Sequence, residues 1–320
     1  DDCGATGSAT VTFTATDDCG NSSTTTATFT IEDTTNPNID TAASDSTVEC
    51  DGAGNAAELS ALLEFYGGAS DSDDCVNVTW SNDYSALRDD CGATGSATVT
   101  FTATDDCGNS STTTATITIE DTTNPNIDTA ASDSTVECDG AGNAAELAAW
   151  LASNGGASAS DACGNVTWSN DYSALSDDCG ATGSATVTFT ATDDCGNSST
   201  TTATFTIEDT TSPSITTVAA DQTVQCDGSG NTSEYQAWLN SQAGANATDT
   251  CSSINWTYNV LSSVNNCGAT AEYLVQFIAT DDCGNSSTTT ATFTIEDTTP
   301  PTIDVEASDV AIECSGSGNT

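Results

Sequence analysis

The 320-residue chain has no His and no Met, and its one basic side chain is Arg88. Against that cation stand 48 Asp and Glu residues, a formal net charge of −47. General acid–base catalysis draws most often on His or Lys, and anion sites draw on Arg or Lys. A chain without them reads as non-enzymatic, with no catalytic residues. Nucleic acid is excluded as a partner, because binding it requires clustered positive charge that displaces counterions. An anionic membrane surface would repel this chain. No apolar run approaches the roughly 20 residues that cross a bilayer, so no membrane insertion is expected. The absence of Met and a start in mid-motif suggest an internal or mature piece of a longer chain.

Acidic chains poor in hydrophobic residues are often disordered. Here charged residues are only 15% of the chain, the excess is Thr and Ser, and clear strand alternation is present. A folded protein with an acidic skin is the better reading, and that skin needs cations around it.

Fifteen cysteines fall in a strict rhythm. From Cys3 the steps are 16, 31, 25 and 16 residues, then the same again, which sets an 88-residue period. The string Asp33-Thr34-Thr35 recurs at Asp121, Asp209 and Asp297, each time with Pro close behind. Boundaries placed there give the end of one repeat (1–33), whole repeats at 34–121, 122–209 and 210–297, and the head of another at 298–320.

A period of this length suits a small β-sandwich. In 97–104, apolar residues (Ala97, Val99, Phe101, Ala103) alternate with Thr, and 114–119 repeats the pattern with Ala115, Ile117 and Ile119. Such alternation marks half-buried antiparallel strands with β-branched residues on the wet face. Between the two lies a turn composition, Asp105-Asp106-Cys107-Gly108-Asn109. Further strands are expected at 76–80, with Val76, Val78 and Trp80 inward, and around 47–50. Trp168 and Trp256 repeat the Trp80 position and read as core. One short helix is expected after Cys50. Asn55 and Glu58 have capping-box spacing, Leu59, Leu62, Leu63 and Tyr66 share a face, and Gly67-Gly68 ends it. Asn143, Glu146, Leu147, Trp150 and Leu151 repeat the frame, and an irregular loop with a few buried Leu is the alternative. Asp51-Gly52-Ala53-Gly54-Asn55 loosely resembles a calcium loop, but Ala53 stands where an oxygen donor is needed.

With no Cys-x-x-Cys and no His, zinc and redox roles are poorly supported. Four Cys per repeat read as two disulfides, which implies an oxidising, extracellular setting. Cys91 and Cys107 flank a strand of about eight residues, so they stand ~25 Å apart, beyond the roughly 7 Å a bridge spans. Cys75 and Cys107 belong at one end of the sandwich, and Cys50 and Cys91 at the other. The expected pairs are therefore Cys50–Cys91, Cys75–Cys107, Cys138–Cys179, Cys163–Cys195, Cys226–Cys267 and Cys251–Cys283. Cys3, Cys19 and Cys314 are left single. Each loop so closed contributes roughly 3–4 kcal/mol by limiting the unfolded chain.

The run from Val99 to Asn109, followed by a Thr-rich strand ending Ile119-Glu120-Asp121-Thr122-Thr123, resembles the hyalin-repeat (HYR-like) group of immunoglobulin-like modules. It is similar to versions repeated in tandem in giant surface adhesins of gliding bacteria. The resemblance implies an all-β chain of tandem immunoglobulin-like, seven-stranded sandwiches, export to the cell surface, and a role in adhesion or spacing. The helix after Cys50 departs from the simplest module of this group.

The sharpest chemical expectation is Ca²⁺ at the repeat junctions, since calcium takes six to eight hard oxygens. End-to-end stacking would bring Glu32 and Asp33 to Asp105, Asp106 and Asn109. It would likewise bring Glu120 and Asp121 to Asp193, Asp194 and Asn197, and Glu208 and Asp209 to Asp281, Asp282 and Asn285. The alternative is that these Asp and Asn only cap turns in solvent. Asp-Thr-Ala triplets at Asp40 and Asp128 resemble an O-glycosylation signal on Thr41 and Thr129.

The function expected is the stalk of an extracellular filament or giant surface adhesin, holding an adhesive tip away from the cell, with surface attachment or gliding motility as its setting. The expected partners are neighbouring repeats, other filament chains, and surface glycans or substrata met by the tip. In the alternative, the repeats themselves bind polysaccharide or another cell-surface ligand, and the divergent third repeat is the place to look.

Overall fold

The computed structural model describes residues 3–75 and 77–313. Val76 and Cys314, named above, lie outside the described residues. The chain opens with a hairpin of β1 (Gly7–Thr16) and β2 (Ser22–Ile31), paired antiparallel along their full length.

The stretch 34–121 then supplies seven strands and a helix. They are β3 (Asn38–Thr41), β4 (Ser46–Glu49), α1 (Ala56–Glu64), β5 (Ser70–Ser72), β6 (Val78–Asn82), β7 (Arg88–Asp89), β8 (Gly95–Asp105) and β9 (Ser110–Glu120). One sheet has the order β4-β9-β8-β6, with β7 also on β8; the other is β3-β5. β4 runs parallel to β9, and the other neighbours are antiparallel. The third repeat shows the same four-strand order, Gln222–Gln225, Ser286–Glu296, Ala271–Asp281, Ile254–Asn265. The second repeat has corresponding strands, with its helix at Ala144–Ala152.

The alternation seen in the sequence places one face of the long hairpin inside. Val99, Phe101, Ala103, Ala115 and Ile117 are 0–1% exposed. Each large side chain so removed from water stabilises the fold by about 1.5–3 kcal/mol. The wet face carries cross-strand threonine pairs, such as Thr98 Oγ1 to Thr116 Oγ1 at 3.0 Å. α1 and the turn that follows it cover the core, with Leu62 and Leu63 of the helix and Tyr66 of the turn packed on Val99, Phe101 and Ala115. Trp80 is half-buried at the core edge, stacked on Tyr66 at 5.2 Å, and its Nε1 donates to Asp71 at 2.6 Å. Trp168 is half-buried too, as is Trp256, which packs against the third repeat's core. Trp150 and Trp238 are buried in the helices' own seats, donating to the carbonyls of Ser132 and Ala220.

The capping box does not form. Asn55 sits in the left-handed region (φ 49°) and makes no side-chain cap bond to α1. Its amide instead donates to the Glu49 carbonyl, and Asp51 Oδ1 accepts from the backbone of Ala53 and Asn55. The Asp51–Asn55 stretch is thus a self-bonded turn that begins the helix without capping it.

The disulfides correct the expected scheme. None of Cys50–Cys91, Cys75–Cys107, Cys138–Cys179, Cys163–Cys195, Cys226–Cys267 or Cys251–Cys283 is formed. The bonds are Cys3–Cys107, Cys91–Cys195, Cys179–Cys283, Cys50–Cys163 and Cys138–Cys251. Cys50 does lie at the Cys91 end, beside Ala93 in the Cys91 turn. What differs is direction. These cysteines sit where strands end, so they meet the cysteines of the next repeat and not one another. Each separation, 104 or 113 residues, is one period longer than the Cys91-to-Cys107 or Cys50-to-Cys75 step. Cys3, expected single, is bonded. Among the described residues Cys19, Cys75, Cys226 and Cys267 are free.

By contact density the chain divides into two units. One is Asp1–Ser134, Ala145–Ala174 and Ala185–Phe205; the other is Thr135–Ala144, Leu175–Ser184 and Thr206–Thr320. All five bridges fall inside one unit or the other.

Candidate cation site at the repeat junctions

Three elements meet where one repeat hands over to the next. The first is the Asp-Thr-Thr linker. Glu49 grips it, Oε1 accepting from Thr122 N at 2.8 Å and Thr123 Oγ1 at 2.7 Å, and Oε2 from Thr122 Oγ1 at 2.9 Å. Glu137 holds Thr210 and Thr211 in the same way. These bonds to the charged form pull the Glu49 and Glu137 carboxyls below the ordinary carboxylate range. The second element is the turn after Cys91. Ala93 N donates to the Cys163 carbonyl at 2.6 Å, and Ala181 N to that of Cys251 at 2.8 Å. Gly92 (φ +55°) is required for that approach, since a Cβ there would stand 2.2 Å from the Cys163 carbonyl oxygen. Around the bridge, Cys50, Cys163 and Ile119 form a small buried cluster with Val48 and Leu87.

The third element is acidic. Asp121 of the linker, Asp161 and the Cys163 sulfur offer atoms all within 4.8 Å of one another; Asp209, Asp249 and Asp281 do so at the next junction, and Asp33, Asp73 and Cys75 at the first. Most of these carboxylates spend one oxygen on local backbone. Asp121 accepts from Thr123 N, Asp161 from Cys163 N, and Asp193 from Cys195 N and Asn197 N. The second oxygens of Asp33, Asp121, Asp193 and Asp209 are buried with no hydrogen-bond partner, and Asp193 and Asp209 are only 5% and 8% exposed as residues. Burial, then the neighbouring charges of Asp161 and Asp193, hold the Asp121 carboxyl above its ordinary range; burial, Asp249 and Asp281 do the same to Asp209. No internal cation offsets this, because Arg88 pairs with Asp90 on the surface at 3.5 Å.

The linker acids and the turn of the following repeat therefore do meet. Asn109, Asn197 and Asn285 donate to the carbonyls of Asp33, Asp121 and Asp209 at 3.1, 2.9 and 2.9 Å. Asp105 and Asp281 lie at the same place, each accepting from the Asn four residues on. Other expected donors go elsewhere. Asp194 accepts from Asn165, and Asp282 from Ser253. Glu32, Glu120, Glu208 and Asp106 are exposed. Asp73, Asp161 and Asp249 were not foreseen; their signal is an Asp two residues before each of Cys75, Cys163 and Cys251.

Orphaned buried carboxylate oxygens suit a divalent cation such as Ca²⁺, and the Asp209, Asp249 and Asp281 cluster offers oxygen alone. The Cys163 sulfur is committed to Cys50, so a soft-metal site is not offered there. Thr41 and Thr129 stand exposed at strand ends.

No protein-family model and no curated protein matches the chain. Solved structures of similar architecture include the protocadherin gamma B4 extracellular domain (14% identity, 90% of this chain and 54% of that one, TM-score 0.30). They also include the protocadherin gamma B7 EC3-6 cis-dimer (16%, 90% and 85%, 0.29) and Drosophila N-cadherin EC1-4 (10%, 92% and 84%, 0.27). The chain spans about half the length of the first of these.

Proposed function

We propose that this chain is the stalk of an extracellular adhesion filament of the hyalin-repeat type, such as serves surface attachment or gliding, in which consecutive repeats are locked by disulfides and by cations. The observation that carries the reading is the register of the bridges. A covalent path runs from Cys3 to Cys107, back sixteen residues along β8 to Cys91, across to Cys195, back sixteen to Cys179, and across to Cys283. Tension between Cys3 and Cys283 is carried by two 16-residue steps and three bridges instead of 280 residues of chain. Those steps span strands that are already extended, so little slack exists. Five bridges are at home in an oxidising exterior and not in a reducing cytosol.

In this reading Ca²⁺ would sit among Asp121, Asp161 and Asp193, and among Asp209, Asp249 and Asp281, neutralising charge that otherwise pushes the junction apart. Pulling a single chain from both ends tests the whole. Oxidised protein should show almost no release of chain between Cys3 and Cys283. Reduced protein should lengthen on the order of 1,000 Å at about 3.6 Å per residue. Equal lengthening in both states would sink the reading.

A second reading, repeats that take a polysaccharide, has one observation in its favour. Tyr258 stands 44% exposed on the edge strand Ile254–Asn265, beside Val260 at 48%. Glycan-array binding lost in Tyr258→Ala would favour it.

A further inference from the structure

The helix of the stretch 34–121 lacks an anchor that its two counterparts have. At one helix position Trp150 and Trp238 are only 9% and 4% exposed, and each indole N–H donates at 3.1 Å to a main-chain carbonyl, that of Ser132 or Ala220. One period before Trp150 the same position is Leu62, and α1 has no buried residue. The ring beneath the indole changes as well. Phe205 and Phe293 lie 5.5 and 5.4 Å from the Trp150 and Trp238 rings, and their counterpart is Ile117. Tyr66 does not make up the loss, because it packs toward the β6 edge of the sheet, stacked on Trp80 at 5.2 Å.

At the opposite, β4 edge there is a cavity of about 400 Å³ lined by Ser44, Val48, Leu62 and Gly67, together with Asp45 and Glu58. Ser44 is the counterpart of Ser132, which takes the Trp150 N–H. Gly67 is the counterpart of Gly155, where an added Cβ would stand 3.5 Å from the Trp150 ring. The cavity is therefore the indole's seat. Its opening does not depend on what precedes the repeat: Ser132 and Asp133, the same places in a repeat flanked by whole repeats, are exposed just as Ser44 and Asp45 are.

We propose that this cavity is a binding site for a flat aromatic amine of the indole class. The size fits the range of small-ligand sites, about 300–1,000 Å³. The ligand's ring takes the place of the Trp150 indole, against Leu62 and Val48, and leaves water by doing so. Its N–H donates to the Ser44 carbonyl, for which Leu62 has no donor. Its ammonium faces Glu58, in the first turn of α1, and Asp45, which spends one oxygen on Thr116 N. A chain with 48 acids and one arginine draws in a cationic ligand and repels an anionic one.

Calorimetric titration of the full chain with tryptamine, indole and indole-3-acetate tests this. One tryptamine per chain is expected, held roughly fivefold more tightly than indole, with indole-3-acetate weaker than both. Leu62→Trp restores the side chain of the other two repeats and should abolish binding. Glu58→Gln, an exposed change that leaves the seat intact, should narrow the gap between tryptamine and indole while indole still binds. The proposal is overturned if millimolar tryptamine gives no binding, if Leu62→Trp binds as the parent does, or if indole-3-acetate binds as tightly as tryptamine.

Discussion

Cys91 is bonded to Cys195, 104 residues ahead, with their Cα atoms 5.2 Å apart, while Cys107, at the far end of the same strand, reaches back to Cys3. This strand is therefore clamped at both ends to its two neighbours, as is the strand between Cys179 and Cys195, bonded to Cys283 and Cys91. Loops of about 100 residues restrict the unfolded chain by roughly 4–5 kcal/mol each in the entropic account, and overlapping loops share part of that effect.

Gly92→Ala should open this clamp. The new Cβ meets the Cys163 carbonyl at 2.2 Å and the residue must hold φ +55°. Gly108→Ala bears a comparable backbone penalty (φ +92°) but meets nothing within 4 Å. Both variants should melt lower than the parent, Gly92→Ala further, by at least about 1 kcal/mol more at the junction. Equal melting temperatures would mean that Gly92 has no role in repeat-to-repeat contact.

Calcium should stabilise the chain and EDTA should reverse it. At a hundredfold excess over the dissociation constant, each site contributes about 2.7 kcal/mol. Asp161→Asn combined with Asp249→Asn should remove most of the calcium-induced rise in melting temperature, whereas Asp106→Asn, exposed and outside the cluster, should not. Calorimetric titration showing no heat for the parent chain would rule the site out.

The pH response follows from opposite shifts. Asp121 and Asp209 are held above their ordinary range, so what they contribute is present at low pH and is lost as pH rises through their folded values. Glu49, Glu137, Asp51, Asp139 and Asp227 are held below theirs by backbone and side-chain donors, so their contribution is lost as pH falls. Metal-free protein should be most stable in the mildly acidic range and less so at neutral pH, and calcium should flatten the neutral limb. Thermal melts across pH with and without calcium check this; identical profiles would contradict it.

Much of this was legible in the sequence. The period-two pattern of Val99, Phe101, Ala115 and Ile117 gives the buried hairpin, because a strand's side chains alternate by stereochemistry alone. The meeting of Asp121 with the Asp193 turn followed from stacking repeats end to end. The cysteine partners were not legible, because spacing within one period says which end of a sandwich a cysteine occupies and nothing about whether it faces its own repeat or the next. Asp161 is not legible for a related reason: it stands two residues before Cys163, whose bond to Cys50 crosses between repeats. The turn at Asn55 was misjudged because Asn and Asp bond their own backbone as readily as they cap helices.

The bridge register itself is tested most directly at Cys251, whose flanking sequence is unlike that of any other cysteine. Digestion at Asp without reduction, followed by mass spectrometry, tells whether its partner is the Asp-Ser-Thr-Val-Glu-Cys peptide of Cys138, a sequence shared with Cys50, or a peptide of Cys226 or Cys283. The bond described here joins it to the Cys138 peptide, in which Glu137 precedes the cysteine. A Cys251 peptide joined to that of Cys226, marked by Gln225, or to that of Cys283 would place the bridges inside single repeats and contradict the account.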